Sequence, residues 1–416
     1  MEKIKRYLWL GPAVIVSVAY IDPGNFGSNL AAGSKYGLQL LWIVWLAGIM
    51  AIFFQYLSGK IGIATKKSIT DIVFQAIEKR FNNNQSIILR YFYFLPLFVM
   101  VLATDMAEFL GIILGIYLLF SIPLVFAIWI SIIDVLIIMF LSEKFGFERI
   151  IGLFIGIVGI SFIYELYIVQ INPVEILFYS FTPTLSEYGH VLLAASIIGA
   201  TVMPHAVILH SHLTSEKFEV LKINIFQFLK KHKNETIIFL ALASLVNASL
   251  QIMSYYAFGS KGYDNIDVEI AYKILEPLYG IIAANIFAIA LLFSGISSSM
   301  VSVLAGQKLV ESCLKIKTQA WKVRLIVRLI NMVPIFIALI ILGLSPIEIL
   351  VYSQVILSLT LPFVLIPLVL VSSNKKYMNE LTNIRITSFL SFTFSIIIIA
   401  INFSLIYLWI LGLTAF

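Results

Sequence analysis

Apolar runs close to twenty residues long, separated by short clusters of charge, dominate the chain, and polar positions seldom alternate within them. A run of that length crosses a bilayer as a helix. The pattern predicts eleven spans, over 9–34, 38–64, 91–120, 122–142, 150–171, 189–213, 236–258, 279–311, 325–343, 346–372 and 387–413. Two are interrupted: Asp22-Pro23-Gly24-Asn25 stands inside the first, and Met203-Pro204-His205 inside the sixth. Proline and glycine break the helical ladder, and an aspartate in hydrocarbon is costly, so both breaks must face a packed or wet interior.

The broken helices open two halves of five spans each. An odd number of spans per half forces the halves into opposite orientation, so the chain reads as an all-α integral membrane protein with a 5+5 inverted repeat. The repeats are expected at about 8–171 and 189–372, with an eleventh helix at about 387–413, all within one transmembrane domain spanning 1–416. The first span is too long for a removable signal peptide and is expected to stay as a helix. Two connections are longer than the rest. Residues 65–89, with the polar run Phe81-Asn82-Asn83-Asn84-Gln85, read as a surface linker; so do 214–235, whose Phe218, Leu221, Ile225, Phe228 and Leu229 suit a basic amphipathic helix on the inner leaflet.

Composition agrees, since 61% hydrophobic against 12% charged residues leaves too little polar surface for a water-soluble domain. The cations sort by loop. Lys3, Lys5 and Arg6 precede the first span; Lys66, Lys67, Lys79, Arg80 and Arg90 follow the second; and Lys144 and Arg149 follow the fourth. Lys217, Lys222, Lys230, Lys231 and Lys233 follow the sixth, Lys308, Lys315, Lys317, Lys322, Arg324 and Arg328 flank the turn from eighth to ninth, and Lys375, Lys376 and Arg385 follow the tenth. The alternate loops hold only Lys35, Lys261 and Lys273, with Lys60 inside the second helix end. The N-terminus is therefore expected in the cytoplasm and the C-terminus outside the cell membrane. The net charge of +6 is spread over six segments, which suits anionic lipid and argues against nucleic acid. Cys313 is the only cysteine, so no intrachain disulfide or thiolate cluster is available.

Unwinding at the two breaks frees carbonyls near Tyr20 and near Ala200 and Thr201. These join the Asp22 carboxylate, the Asn25 amide oxygen and the Met203 thioether. Oxygen alone suits a hard ion; a thioether favours softer divalent transition ions, so Mn²⁺ or Fe²⁺ is expected, with Co²⁺ and Cd²⁺ as further guests. Met203 by itself would be core filling. Its place beside Pro204 and His205 in a broken helix makes it a ligand.

These residues carry a resemblance. Tyr20-Ile21-Asp22-Pro23-Gly24-Asn25-Phe26 and Gly199-Ala200-Thr201-Val202-Met203-Pro204-His205 resemble the paired signatures of the natural resistance-associated macrophage protein (Nramp) family. Gln55-Tyr56-Leu57-Ser58-Gly59-Lys60 with Gly62-Ile63-Ala64-Thr65 resembles its second helix, Ala103-Thr104-Asp105-Met106-Ala107-Glu108-Phe109-Leu110-Gly111 its third, and Ser353-Gln354-Val355 its tenth. One segment departs: Gly295-Ile296-Ser297-Ser298 stands where the family carries Gly-Gln-Ser-Ser before the ninth helix. The resemblance implies a leucine-transporter-type fold and proton-coupled import of divalent transition metals. It also implies that Asp22, Asn25, Met203 and the Ala200 carbonyl hold the ion, with Gln354 joining in some conformations.

Proton coupling needs titratable groups apart from the metal. Asp105 and Glu108 lie three apart on one helical face. Arg328 is the expected counter-charge, and the resemblance places an equivalent arginine in the ninth helix. His205 and His210 add imidazoles beside the site. Asp134 and Glu165 lack a motif and read as structural ion pairs. A zinc hydrolase built on His205, His210 and His212 fails on geometry, because His210 points away from the face the other two share and no His-Glu-x-x-His occurs. Two rival carriers remain. In a sodium-coupled amino-acid transporter of the same fold, Asp22 would repel the substrate carboxylate; a related magnesium-transporting branch differs at the metal-site positions that this chain keeps. No cofactor, nucleic acid or obligatory protein partner is expected; the partners are the ion, protons and the bilayer.

Overall fold

The computed structural model describes residues 11–134, 159–161, 164, 166–169, 171–221, 223–264 and 266–413, which form helices and connecting turns with no strand among them. The first predicted span is three short pieces: α1 (Pro12–Ser17), a 3-10 turn (Val18–Tyr20), and α2 (Pro23–Tyr36). Asp22 ends the gap by capping α2, its carboxylate accepting from Asn25 N at 2.8 Å, while Pro23 takes the first helical position where no N–H is required. The sixth span breaks in the same manner. Helix α8 (Tyr188–Val202) stops at Met203, whose φ of 45° and ψ of 91° leave the helix, and α9 (Pro204–Leu221) restarts on proline. The order is completed by α3 (Leu41–Thr65), α4 (Ile69–Arg80), α5 (Asn83–Phe120), α6 (Leu124–Ile130) and α7 (Pro173–Phe181) before α8. After α9 come α10 (Ile225–Ala257), α11 (Val268–Tyr279), α12 (Ile281–Leu314), α13 (Ala320–Phe336), α14 (Pro346–Ser372), α15 (Lys375–Met378) and α16 (Arg385–Ile410).

Eight stretches are long and apolar enough to cross a membrane among the described residues, taking α8 and α9 as one. The predicted span at 122–142 is described only through Asp134, and most of 150–171, with Glu165, lies outside the described residues. So do Lys3, Lys5, Arg6, Lys144, Arg149 and Lys222.

Both long connections differ from expectation. Residues 65–89 are not a linker, because Ser68 and Asp71 form a reciprocal capping box that starts α4, whose Ile69, Ile72 and Phe74 are buried. Asn82 then caps α5 through Gln85 N, absorbing the polar run into a helix start. Residues 214–235 are likewise no separate surface helix: α9 runs on to Leu221 and α10 begins at Ile225, capped by Asn224. The rings of Phe218 and Phe228 stack at 5.5 Å across the turn, so the apolar positions read as a lipid-facing stripe fasten two long helices together. Gly295–Ser298, the segment that departs from the family pattern, falls in the middle of α12.

Burial explains the arrangement. Helix α5 packs along α12, α9 and α10 lie on α3, and α8 lies on α14, which surrounds both breaks with protein. Gly111 of α5 lies tightly against the first break: a Cβ there would stand 2.2 Å from Pro23 Cγ. Helix α16 packs mainly along α14 and α8, with Phe394 reaching Phe53 and Phe54 of α3, and Phe389, Phe403 and Ile410 stay exposed, as a peripheral helix facing lipid requires.

Candidate metal centre

The two breaks meet. Asn25 Nδ2 lies 3.2 Å from the Tyr20 carbonyl, 2.9 Å from Asp22 Oδ1 and 2.9 Å from the Ala200 carbonyl, while Asn25 Oδ1 accepts from Thr201 Oγ1 at 3.0 Å. An amide nitrogen has two hydrogens, so three oxygens compete for them. Every one of these residues is buried. The result is a pocket of convergent oxygens, one of them a carboxylate oxygen, in a low-dielectric interior.

Gln354 of α14 belongs to the same centre. A Cβ added at Gly24 would fall 1.9 Å from Gln354 Nε2 and 2.9 Å from Asp22 Oδ2, so both head groups flank one glycine that leaves room for them. Gln354 Nε2 donates to Ser353 Oγ at 3.2 Å, and its Oε1 has no hydrogen-bond partner among the described residues. Met203 is fully buried at the break, three positions beyond Ala200. All five candidate ligands therefore lie on the elements that meet here.

Two polar neighbours escaped the sequence reading. Asn247 of α10 donates to the Tyr20 carbonyl at 3.1 Å, and Gln55 of α3 donates to the Tyr20 hydroxyl at 2.7 Å. Gln55 Oε1 pairs with His210 Nδ1 at 2.8 Å, and the His210 ring stands 4.9 Å from that of His232. His205 sits elsewhere, its Nδ1 paired with Thr104 Oγ1 at 3.2 Å. His212 pairs with Glu216 at 2.9 Å. The three histidines of the α9 stretch do not converge, and among the described residues no group of three or more His, Cys, Asp or Glu side chains is placed to hold a metal. A centre built from one carboxylate, amides, carbonyls and a thioether is of another kind.

A second buried cluster lies between α5 and α13. Arg324 reaches Asp105 at 2.5 Å, Glu108 at 3.1 Å and Asp134 at 2.8 Å; Arg328 reaches Asp134 at 2.7 Å and Asp105 at 3.5 Å. The principal counter-charge of the α5 acids is therefore Arg324, with Arg328 behind it, facing the Phe109 ring at 4.0 Å. The sequence assigned Arg324 to a loop, but α13 begins at Ala320 and carries it one turn inward. Asn331 on the same face donates to Asp105 Oδ2 at 2.8 Å, and Ser302 of α12 donates to Glu108 Oε2 at 2.6 Å. Asp134 is indeed an ion-pair member. Glu108 Oε1 has no hydrogen-bond partner among the described residues.

Paired broken helices that cross in a helical bundle, with freed carbonyls and one carboxylate at the crossing, define a membrane transporter of the leucine-transporter type. The fold agrees with that of Mhp1, a nucleobase-cation-symport-1 family transporter, in a closed conformation, at a TM-score of 0.55 and 13% identity over 96% of this chain and 91% of that one. The natural resistance-associated macrophage protein-like family profile matches residues 13–408, and the chain belongs to this Nramp family. It is 35% identical to the divalent metal cation transporter MntH of Caldanaerobacter subterraneus subsp. tengcongensis, over 99% of this chain and 95% of that protein. It is 36% identical to the MntH of Bacillus subtilis, over 96% and 91%. The Eremococcus coleocola manganese transporter, solved with an aromatic bis-isothiourea compound, superposes at a TM-score of 0.83 with 26% identity, covering 94% of this chain and 84% of that one.

Proposed function

We propose that the protein imports divalent transition-metal ions, Mn²⁺ and Fe²⁺ foremost with Cd²⁺ and Co²⁺ also accepted, together with protons, by alternating access across the cell membrane. The observation that carries this reading is the convergence of Asp22 Oδ1 and the Tyr20 and Ala200 carbonyls on the single Asn25 amide nitrogen. Three acceptors around one weak donor suit a cation. In binding it, the Asn25 amide turns so that Oδ1 replaces Nδ2, and Thr201 changes from donor to acceptor, a role its hydroxyl allows. Met203 and Gln354 complete the shell, the thioether turning preference toward softer ions. The names of the MntH relatives and of the manganese transporter support metal as the cargo.

Proton coupling is assigned to the second cluster. Three carboxylates, Asp105, Glu108 and Asp134, face two guanidinium groups, so full ionisation leaves one uncompensated negative charge in a buried place. A single bound proton balances the set; Glu108 Oε1 and Asp134 Oδ1 both lack a hydrogen-bond partner among the described residues, and Glu108, which has one arginine contact at 3.1 Å where Asp134 has two at 2.8 and 2.7 Å, is the position for it. His205 and His210 extend the polar route on the α9 side. The repeats at 8–171 and 189–372, a cytoplasmic N-terminus and an external C-terminus belong to the same reading, supported by the cations at Lys66, Lys67, Lys315, Lys317, Lys375 and Lys376.

Uptake of Mn²⁺ into proteoliposomes tests the assignment. Asp22→Ala, which removes the only full charge in the centre, should abolish Mn²⁺ entry; entry at the parental rate would sink the site. Amino-acid uptake in place of metal uptake would establish the sodium-coupled rival, and Mg²⁺ as the preferred ion would establish the other.

A further inference from the structure

Asp267, on the loop before α11, uses one carboxylate oxygen for two helices. Its Oδ1 accepts from Val268 N at 2.7 Å, at the start of α11, and from Ile347 N at 3.2 Å, at the start of α14. Pro346 holds the first position of α14 and has no N–H, so Ile347 presents the first free backbone donor of that helix. The positive ends of two helices thus point at a single carboxylate. Helix α11 is itself fastened to α12, where the Tyr272 hydroxyl donates to Asn285 Oδ1 at 2.8 Å. Asp267 therefore ties α14 to the α5–α12 body through α11.

The tie lies two turns from the ion. Between Ile347 and Gln354, α14 presses on both broken helices: a Cβ at Gly27 would meet Leu350 Cβ at 2.6 Å, and Ser196 of α8 donates to the Val351 carbonyl at 3.2 Å. Ser196 also bonds Ser28 of α2 at 2.6 Å. Farther along, Pro362 and Pro367 each remove one backbone N–H from α14, and the Ser358 carbonyl facing Pro362 is taken up by Asn402 Nδ2 of α16 at 2.7 Å, so the helix has a bending point beyond Gln354.

We infer that Asp267 is a positioning residue for transport, a latch that holds the outer half of α14, and Gln354 with it, closed over the two broken helices. Opening the latch lets that half swing from Ser28 and Ser196 and admits the ion from the side on which α11 lies. The inference rests on the alternating-access reading above but not on the identity of the ion.

The test reads conformation without any ion. In a Cys313→Ser background, Ser196→Cys places a thiol beneath α14, and a membrane-impermeant maleimide added outside measures its exposure. Asp267→Ala should speed labelling about tenfold, the equivalent of the lost hydrogen bond to Ile347 N. Asp267→Asn, which keeps an oxygen able to accept from both N–H groups, should restore a rate close to that of the reporter alone. Tyr272→Phe loosens the same tie from its other end by removing one hydroxyl, and should speed labelling even where Asp267→Ala fails to reach the membrane. Unchanged labelling in Tyr272→Phe and Asp267→Ala, or Asp267→Asn as fast as Asp267→Ala, would overturn the latch. Absence of Mn²⁺ uptake by the parental protein, with the labelling contrast intact, would count against the metal reading and leave the latch standing.

Discussion

Replacing Glu108 with Gln separates the charge of the buried cluster from its geometry. The amide keeps an oxygen able to accept from Ser302 Oγ and Arg324 Nη1, which stand 2.6 and 3.1 Å from Glu108 Oε2. What disappears is one negative charge and one place for a proton, leaving Asp105 and Asp134 against Arg324 and Arg328. Stability should change by no more than about 1 kcal/mol, the scale of one exchanged hydrogen bond. Arg324→Gln supplies the contrast, because three carboxylates then share Arg328 alone, and removing one partner from a buried ion cluster costs about 3–5 kcal/mol. Mn²⁺ entry and lumenal acidification can be followed with two dyes in the same proteoliposomes. Glu108→Gln should carry Mn²⁺ with nearly unchanged KM and lose about nine-tenths of the accompanying acidification, a tenfold effect corresponding to about 1.4 kcal/mol. Parental acidification in this variant would refute the assignment of the proton to Glu108. A loss of stability as large as that of Arg324→Gln would refute the charge balance itself.

Met203→Ala should retain most Mn²⁺ uptake, because Asp22 and the carbonyls remain, while Cd²⁺ affinity falls and Ca²⁺ competes better; an unmoved rank order of ions would reduce Met203 to packing. In the Cys313→Ser background, cysteine at Ser186 should react with impermeant reagents from outside and cysteine at Lys376 only from inside, both positions being exposed, and the reverse pattern would invert the topology. Burial raises the pKa of Asp267, with the Val268 and Ile347 N–H groups opposing only in part. The folded state thus binds this proton more tightly than the unfolded state, so the group's contribution to stability is present in acid and is lost as pH climbs from the ordinary carboxylate range through the raised value. Asp267→Asn should flatten that stretch of the pH–stability profile, and an identical profile would exclude the shift.

The sites that the sequence disclosed are those where local rules were visibly broken. Pro23, Gly24 and Pro204 have no business inside lipid-facing helices, and Asp22 beside them required a polar destination. Arg324 was hidden for the opposite reason: a cation near a span's end obeys the ordinary loop pattern, and only the actual start of α13 reveals that it is buried. The capping box at Ser68 and Asp71 was legible in principle, but its residues blend with the polar segment around them. Gln55 stood in the second-helix motif without a role, and Asn247 left no signal, since the partner of each, Tyr20, lies in a different span.

The contact between Gly111 and Pro23 carries a consequence for how such a chain tolerates change. The pyrrolidine ring is rigid, so a methyl group arriving at position 111 has no flexible side chain to push aside. Relief must come from displacement of α5 or α2 as a whole, and α5 also bears Asp105 and Glu108 while α2 begins at the Asp22 turn. A substitution as mild as Gly111→Ala is therefore felt at the first helix break and at the charge cluster together. These two stations, separate in chemistry, share one mechanical bearing, and variation at either helix is confined to changes that keep its surface smooth.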